Sequence, residues 1–212
     1  MKTIVILISG RGSNMQALLE SELSASVAAV ISNNPRAAGL EIAQKHNIET
    51  CIVDHRMYPD RAVFDLLLAN KIDSYQPYLV VLAGFMRVLG DSFINKYQGK
   101  LINIHPSLLP AFPGLDTHKQ ALEKGVKLHG CTVHFVTREV DHGPIIIQAA
   151  VPVLPGDTAE ILAERVLLQE HRILLEAVNL FIEGQLKISG NNVEICNKIS
   201  DSSALSSLES QK

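Results

Sequence analysis

Two side chains that can stabilise developing charge stand two residues apart near the middle of the sequence. They are Asn103 and His105, in the run Asn103-Ile104-His105-Pro106. Alternate residues of a β-strand share a face, so a strand here would place the carboxamide and the imidazole side by side. Pro106 ends the strand and leaves His105 at its carboxyl end, where open α/β sheets bind ligands. The pattern indicates a polar site, although a histidine at a strand end is also typical of a hydrogen-bonded structural residue.

A third candidate, Asp141, lies in residues 137–144, a loop predicted between two strands. Loops of this kind commonly carry function. A carboxylate next to an imidazole favours the protonated ring, which is useful if His105 must hold a proton near neutral pH. The alternative for Asp141 by itself is a solvated turn residue.

A glycine-containing run, Ser9-Gly10-Arg11-Gly12-Ser13-Asn14, follows the first predicted strand and opens a predicted helix. A helix start presents unpaired N–H groups, and glycine lets a phosphate approach the backbone. Met15 stands where the dinucleotide fingerprint needs glycine, and the Lys-Ser/Thr pair of a Walker loop is missing. The run therefore indicates a lone phosphate monoester, with a tight glycine turn as the structural alternative.

Metal chemistry is not indicated. The remaining histidines lack i, i+4 pairing, and the three cysteines lack the paired spacing of a zinc or redox site. Among these residues are His118, His129, His134, His171, Cys51, Cys131 and Cys196. We expect no metal, and we expect reduced thiols.

Composition favours a globular protein that acts on small molecules. Of the 212 residues 47% are hydrophobic and 19% charged, and the net charge is −3. No run of Lys and Arg suits a polyanion, so nucleic acid is not expected as a partner. The apolar stretch 78–86 is too short to cross a membrane, and the chain enters its first strand without a leader, so we expect a cytoplasmic protein.

The predicted elements alternate between strands and helices through the first hundred residues, which indicates an α/β fold with a mostly parallel central sheet in three αβα layers. We predict strands at 4–8, 27–31, 51–53, 79–82, 101–104, 131–136 and 145–152, and helices at 15–23, 37–46, 62–75, 117–124 and 157–183. Asp157 is the expected cap of the last helix. The Ser-rich residues 200–212 are predicted to be a disordered tail.

Five segments together resemble the folate-dependent formyltransferases: SGRGSN at 9–14, VLAGFMR at 81–87, NIHPSLLPAFPG at 103–114, HGCTVHFV at 129–136 and DHGPII at 141–146. Within this family they are most similar to the phosphoribosylglycinamide formyltransferases, over about residues 2–188. The resemblance implies one formyltransferase domain at 1–188. Its Rossmann-like N-terminal half, about 1–100, would bind phosphate, and its C-terminal half, about 101–188, would contribute to the folate site.

The resemblance also implies roles for individual residues. Asn103, His105 and Asp141 match the catalytic positions, and Gly12, Ser13 and Asn14 match the phosphate site. Glu170, which alone is typical of an exposed helical glutamate, matches a residue that grips ribose hydroxyls. The positions that match the folate site are Arg61, Met86, Arg87, Val88, Leu89, Asn103, Thr137, Arg138, Glu139, Val140 and Asp141.

The implied reaction transfers the formyl group of 10-formyltetrahydrofolate to the amine of 5'-phosphoribosylglycinamide, releasing tetrahydrofolate, in de novo purine biosynthesis. The alternatives are a formyltetrahydrofolate hydrolase, which would use the same three residues, and a non-catalytic folate- or nucleotide-binding module. The protein is expected to be a monomer or a homodimer.

Two positions depart from the family pattern, since Asp116 stands where a histidine is frequent and His142 where a glycine is frequent. The family also carries a cis bond in its Leu-Leu-Pro run, so Leu109–Pro110 is expected to be cis.

Overall fold

A computed structural model describes residues 1–196, and a seven-stranded sheet forms its centre. The strands are β1 Thr3–Ile8, β2 Ser26–Ser32, β3 Thr50–Ile52, β4 Leu79–Leu82, β5 Leu101–His105, β6 Leu128–Phe135 and β7 Ile145–Pro152, followed by a hairpin of β8 Leu186–Ser189 and β9 Asn192–Ile195. The helices are α1 Ser13–Leu19, α2 Gly39–Lys45, α3 Arg61–Asp73, α4 Asp91–Lys96, α5 Thr117–Glu123 and α6 Ala159–Ile182, with a 3₁₀ turn at His55–Met57.

The spatial order of the large sheet is β3-β2-β1-β4-β5-β6-β7. Strands β1 to β5 run parallel, and β6 and β7 are antiparallel to their neighbours. The chain order reverses between β1 and β4, and such a switch point leaves a crevice outside the carboxyl ends of the strands. The predicted α/β fold with a mostly parallel sheet is confirmed.

The two faces of the sheet build separate apolar cores, which is why the strands read as continuous apolar runs. In β1, Ile4, Ile6 and Ile8 pack in the core shared with α1, α2 and α6. Val5 and Leu7 point the other way and pack with residues of α3 and α4. All five are fully buried, so the molecule has the three predicted layers.

The cap of helix α6 lies one residue after the cap that the sequence favoured. Thr158, not Asp157, is the N-cap residue, and its Oγ1 accepts the Ile161 amide at 3.3 Å. The Asp157 carboxylate instead accepts the Leu154 amide at 2.8 Å and pairs with Arg165 at 2.7 Å. The prediction of Asp157 as cap was therefore wrong, because the carboxylate closes the preceding turn.

Two small elements were not predicted. Helix α4 has six residues, and the β8–β9 hairpin is largely exposed, so neither shows a clear apolar period. The proposed domain end at 188 falls inside β8. The predicted disordered tail, 200–212, lies outside the described residues. Within residues 1–196 no helix is both long and apolar enough to cross a membrane.

Candidate active site

The loop between β1 and α1 is closely packed against the start of α2. Gly12, the N-cap residue of α1, has φ 78°, and a Cβ on it would lie 2.8 Å from Gly39 Cα. The Gly39 amide donates to the Gly10 carbonyl at 3.0 Å. Both the left-handed backbone and the close approach require glycine at position 12. The loop therefore holds the N–H groups of Ser13 and Asn14 at the start of a helix.

Glu170 lies against this loop from the opposite side of the cleft. Its Oε2 accepts Asn14 Nδ2 at 2.7 Å, and its side chain is buried. Burial raises the pKa of Glu170, against the Asn14 hydrogen bond, which lowers it. The single-residue interpretation of an exposed helical glutamate was therefore wrong. Because α6 packs on α1, Glu170 lies against Asn14 of the loop at residues 9–14.

A cleft of about 760 Å³ opens beside this pair. Its walls are the loop after β1, the carboxyl ends of β4 and β5, and one face of α6. The lining residues include Arg11, Ser13, Asn14, Gly84, Met86, Ile104, Pro106, His118, Glu164 and Glu170. The cleft therefore extends from the phosphate loop to the strand that carries Asn103 and His105.

The structure brings the three predicted catalytic side chains together at the carboxyl end of β5. His105 Nδ1 lies 3.5 Å from Asp141 Oδ1, and both side chains are about nine-tenths buried or more. Asp141 reaches this position from a left-handed backbone conformation, φ 57°. Asp and Asn adopt that conformation more readily than other non-glycine residues, so the aspartate type suits the loop as well as the charge.

Both ring nitrogens of His105 face oxygen acceptors. Nε2 lies 3.0 Å from the Phe112 carbonyl, and Nδ1 faces the Asp141 carboxylate. The second carboxylate oxygen of Asp141 accepts the Gly114 amide at 2.9 Å. A doubly protonated ring is the form that donates to both acceptors. The arrangement therefore suits a cationic His105 held between two loops.

Sequence reasoning missed one member of this cluster, His134 on β6. Its Nδ1 faces the Phe135 carbonyl at 2.9 Å, and its Nε2 lies 3.2 Å from Asn103 Nδ2 and 3.9 Å from Asp141 Oδ1. Burial lowers the pKa of His134, which favours the neutral ring. With its proton on Nδ1, the lone pair of Nε2 accepts the Asn103 amide and fixes its direction. The signal that locates it is the pairing of β5 with β6, in which Asn103 lies opposite His134.

Most of the predicted folate positions lie in two segments, residues 86–89 and residues 137–141, on either side of α4. In the first, Met86 and Val88 are 72% and 50% exposed and Leu89 is buried. The Arg87 guanidinium lies over the Phe64 ring at 5.5 Å. Uncovered apolar side chains beside a polar cluster are typical of a surface that a flat ring system covers. Arg61 is the first residue of α3 and lies next to the end of this segment, near Gly90.

The second segment, residues 137–141, is tied to α4. Arg138 donates to Asn95 Oδ1 from Nε at 3.2 Å and from Nη2 at 3.1 Å. Thr137 Oγ1 donates to the Glu139 carbonyl at 3.2 Å, and Val140 is 51% exposed. Helix α4 follows residues 86–89 directly and accepts the Arg138 hydrogen bonds through Asn95. It therefore connects the two predicted folate segments.

Two further histidines, His118 and His129, pair with each other. His118 Nδ1 lies 3.2 Å from His129 Nε2, and burial, followed by the neighbouring His118 and His105, lowers the pKa of His129 to about 4. Among the described residues no three His, Cys, Asp or Glu side chains are grouped so as to hold a metal ion. The Leu109–Pro110 bond is cis, as expected, and Asp116 occupies the N-cap position of α5 with φ 55°.

Comparison with known proteins agrees with this geometry. The formyl transferase family pattern matches residues 2–178. Phosphoribosylglycinamide formyltransferase of Escherichia coli (strain K12) is 47% identical over 192 residues, covering 89% of this chain and 91% of that protein. The structure of glycinamide ribonucleotide transformylase 1 from Symbiobacterium toebii is 50% identical, with a TM-score of 0.91 over 93% of this chain and 95% of that one.

A longer relative matches as well. The trifunctional purine biosynthetic protein adenosine-3 of Bos taurus is 47% identical over 197 residues, or 91% of this chain, and the chain spans only 19% of that protein's length. Matches of this extent and identity establish the family. The chain belongs to the formyl transferase family.

Proposed function

We propose that this protein transfers the formyl group of 10-formyltetrahydrofolate to the amine of 5'-phosphoribosylglycinamide, a step of purine biosynthesis. The observation that carries the proposal is the contact of His105 Nδ1 with Asp141 Oδ1, at 3.5 Å, at the carboxyl end of β5, next to a cleft that Ile104 and Pro106 line. The relatives are named for this reaction. The proposed catalytic unit is a single domain, about residues 1–188, and its catalytic side chains all come from one chain.

The acceptor would lie in the cleft with its phosphate at the loop of Gly12, Ser13 and Asn14. Backbone and side-chain donors there suit an anion. Glu170 would accept hydrogen bonds from the ribose hydroxyls, at the cost of sharing its Asn14 contact. A phosphate held at one end of the cleft directs the opposite end of the substrate, the amine, towards β5. Such positioning lowers the reaction barrier more than electrostatic attraction alone would, because it brings the two reacting atoms together.

The formyl donor would cover Met86, Val88 and Val140, which are at least half exposed. The remaining proposed donor contacts are made by Arg61, Arg87, Leu89, Asn103, Thr137, Arg138, Glu139 and Asp141. A folate supplies the formyl group as a co-substrate, and its flat apolar rings and acidic tail fit exposed apolar side chains beside Arg61.

In the proposed reaction the amine nitrogen bonds to the formyl carbon, and the bond from that carbon to the folate nitrogen then breaks. Negative charge collects on the formyl oxygen between these events. The Asn103 amide and the His105 imidazolium donate to that oxygen. His105 Nε2–H, which the Phe112 carbonyl accepts in this structure, becomes the donor when the loop carbonyl moves aside.

Asp141 would favour the cationic form of His105, and a water beside it would carry the proton that the attacking nitrogen loses to the departing folate nitrogen. The departing folate nitrogen gains one proton, so the reaction consumes none overall. One oxyanion donor is typically worth about 10²–10³ in rate, so Asn103 and His105 together account for several kcal/mol of the barrier.

One assay separates the proposed function from its alternatives. The protein is incubated with 10-formyltetrahydrofolate, with and without 5'-phosphoribosylglycinamide, while folate absorbance is followed. Turnover that requires the acceptor supports the transferase. Formate release without acceptor would identify a hydrolase, and binding without turnover a non-catalytic module.

The phosphate assignment has its own test, Ser13→Ala. Loss of a donor to the phosphate should raise the KM for 5'-phosphoribosylglycinamide about tenfold, with a smaller effect on kcat, because the contact is made in both the ground and transition states. Steady-state kinetics with varied acceptor measure both constants. An unchanged KM would remove Ser13 from the phosphate site.

A further inference from the structure

The segment of residues 86–89, called here the donor-facing segment, has no regular structure to hold it. Within the described residues 1–196, the backbone amides of residues 85–89 make no hydrogen bond to another backbone group. Met86 and Val88 are also largely exposed, so packing does little to fix them. Something else has to define the shape of this segment.

Two side chains hold its ends. Ser9 Oγ accepts the Met86 amide at 2.7 Å, and Asp65 Oδ2 accepts the Gly90 amide at 2.7 Å. Ser9 follows β1 and Asp65 lies in α3, so each contact ties the segment to a different layer of the fold. The two acceptors bracket the donor-facing segment from both sides.

The Ser9 contact is directional. The Ser9 hydroxyl donates its only proton to Asn33 Oδ1 at 2.6 Å, so its oxygen lone pairs remain for the Met86 amide. The Asn33 amide nitrogen in turn lies 3.2 Å from His55 Nδ1. The Ser9 backbone amide also donates to the Gly84 carbonyl at 3.1 Å. Ser9 therefore links the start of the run of residues 9–14 to Met86, the first residue of the donor-facing segment.

The Asp65 contact is unusual for a buried carboxylate. Asp65 is 5% exposed, and burial raises its pKa, against the Gly90 amide and the charges of Arg61 and Arg87. Its Oδ1 has no hydrogen-bond partner among the described residues, and the same is true of Arg87 Nε. The carboxylate therefore accepts the Gly90 amide through Oδ2, while Oδ1 has no partner among the described residues.

Residue 90 fits this contact closely. Its φ is −82°, which any residue can adopt, but a Cβ there would lie 2.8 Å from Asp65 Oδ2. Gly90 is therefore required by the approach of the carboxylate and not by the turn. A larger residue would push Asp65 away from the amide.

We propose that Ser9 and Asp65 are positioning residues of the formyl-donor subsite, which set the conformation of residues 86–89 by accepting the amides at its two ends. This inference rests on the proposed function, because that function makes the segment a folate-binding surface. Neither side chain needs to touch the donor. Their removal should weaken folate binding and leave the phosphate loop competent.

The experiment compares Ser9→Ala, Asp65→Ala and Gly90→Ala with two matched controls. Ser74→Ala removes another serine hydroxyl, which donates to the Lys71 carbonyl at 2.7 Å, and Asp73→Ala removes another carboxylate of α3, which accepts the Tyr97 hydroxyl at 2.8 Å. Neither control side chain contacts the donor-facing segment. Titration calorimetry measures Kd for tetrahydrofolate and for 5'-phosphoribosylglycinamide in each protein.

Each of the three variants should raise the Kd for tetrahydrofolate about tenfold, equivalent to about 1.4 kcal/mol. In Asp65→Ala and Gly90→Ala the Kd for the phosphorylated ligand should change less than about twofold, and the controls should bind both ligands like the wild type. Asp65→Asn, which keeps an acceptor oxygen, should recover most of the folate affinity. Amide exchange of Met86 in Ser9→Ala, and of Gly90 in Asp65→Ala, should be faster than in the wild type.

Three results are distinguishable. Wild-type protein that binds no tetrahydrofolate would overturn the proposed function itself. Wild-type binding with unchanged Kd in all three variants would overturn the positioning role alone. Equal losses in the controls, or equal losses for both ligands, would show a general stability effect and also overturn it. If Asp65→Ala does not fold, Ser9→Ala and Gly90→Ala carry the same test at the two ends.

Discussion

At the scale of single residues, the protonation of each imidazole in the candidate site depends on its hydrogen-bond partners and its burial. His105 lies between the Asp141 carboxylate and the Phe112 carbonyl, so protonation of both ring nitrogens satisfies both neighbours. Burial lowers the pKa of His134, a few ångströms away, which favours the neutral ring whose Nε2 accepts from Asn103. Two imidazoles of the same intrinsic chemistry thus have different tasks, set by their neighbours.

Replacing the carboxylate of Asp141 tests its electrostatic role. Asp141→Asn should lower kcat by about 10²-fold or more, because His105 loses the charge that favours its cationic form. The affinity for the phosphorylated acceptor should remain nearly unchanged, since the phosphate loop is remote. Single-turnover rates and acceptor Kd provide the measurement. Comparable losses in rate and in affinity would contradict this role.

The missed histidine gives a separate prediction. His134→Ala removes the acceptor that orients the Asn103 amide, so kcat should fall by up to about 10²-fold, the value of one oxyanion donor. KM values for both substrates should change little, because the oriented amide matters most in the transition state. Steady-state kinetics measure this split. A variant with wild-type kcat would show that Asn103 holds its orientation unaided.

At the scale of elements, the ends of helices and strands place the functional groups. The carboxyl ends of β1, β4 and β5, three neighbouring strands, deliver the phosphate loop, the donor-facing segment and the Asn103–His105 pair to one edge of the sheet. Helix α6 closes the cleft from the other side and supplies Glu170. The length of α6, 24 residues, gives it enough contact with β6 and β7 to hold that glutamate in place.

The start of α6 is held by its cap. Thr158→Ala should lower the free energy of unfolding by about 1 kcal/mol, because the Ile161 amide loses its acceptor. Urea denaturation provides the midpoint and slope, and the slope should be unchanged. Thr158→Ser, which keeps the hydroxyl, serves as the control. An unchanged midpoint in the alanine variant would mean that water replaces the cap without loss.

At the scale of the whole molecule, burial of titratable groups makes stability depend on pH. Burial is the largest cause of a lowered pKa for His118, His129, His134 and His171. At these four histidines the unfolded chain therefore binds more protons than the folded chain below about pH 6.5. The raised pKa values of Asp65 and Glu170 act in the opposite sense, because there the folded state takes up the proton first.

The histidine contribution is testable at one position. The free energy of unfolding should decrease as pH falls from about 6.5 towards 4, the pKa of His129, with a slope of up to about 1.4 kcal/mol per pH unit for that residue. His129→Gln should reduce the slope across this window. Urea denaturation of both proteins at several pH values measures it. Parallel pH profiles would show that His129 does not contribute.

Local patterns in the chain were sufficient for much of this architecture. Continuous apolar runs identified β1, β2, β3 and β4, and period-two alternation placed Asn103 and His105 on one face. Both signals arise between residues that are neighbours along the chain, so they survive without tertiary information. The assignments of Asp141, Glu170 and the folate positions came from the family resemblance, because their single-residue patterns suit solvated residues equally well.

Only the tertiary structure decided which distant groups meet. Asn103 contacts a histidine 31 positions away because of the β5–β6 register, and Asn14 contacts Glu170 across 156 positions because α6 packs on α1. Asp157 and Thr158 are both good caps, and backbone conformation alone selects between them. Strand register and helix packing are set by the free energy of the whole molecule, so they cannot be inferred from any single stretch of neighbouring residues.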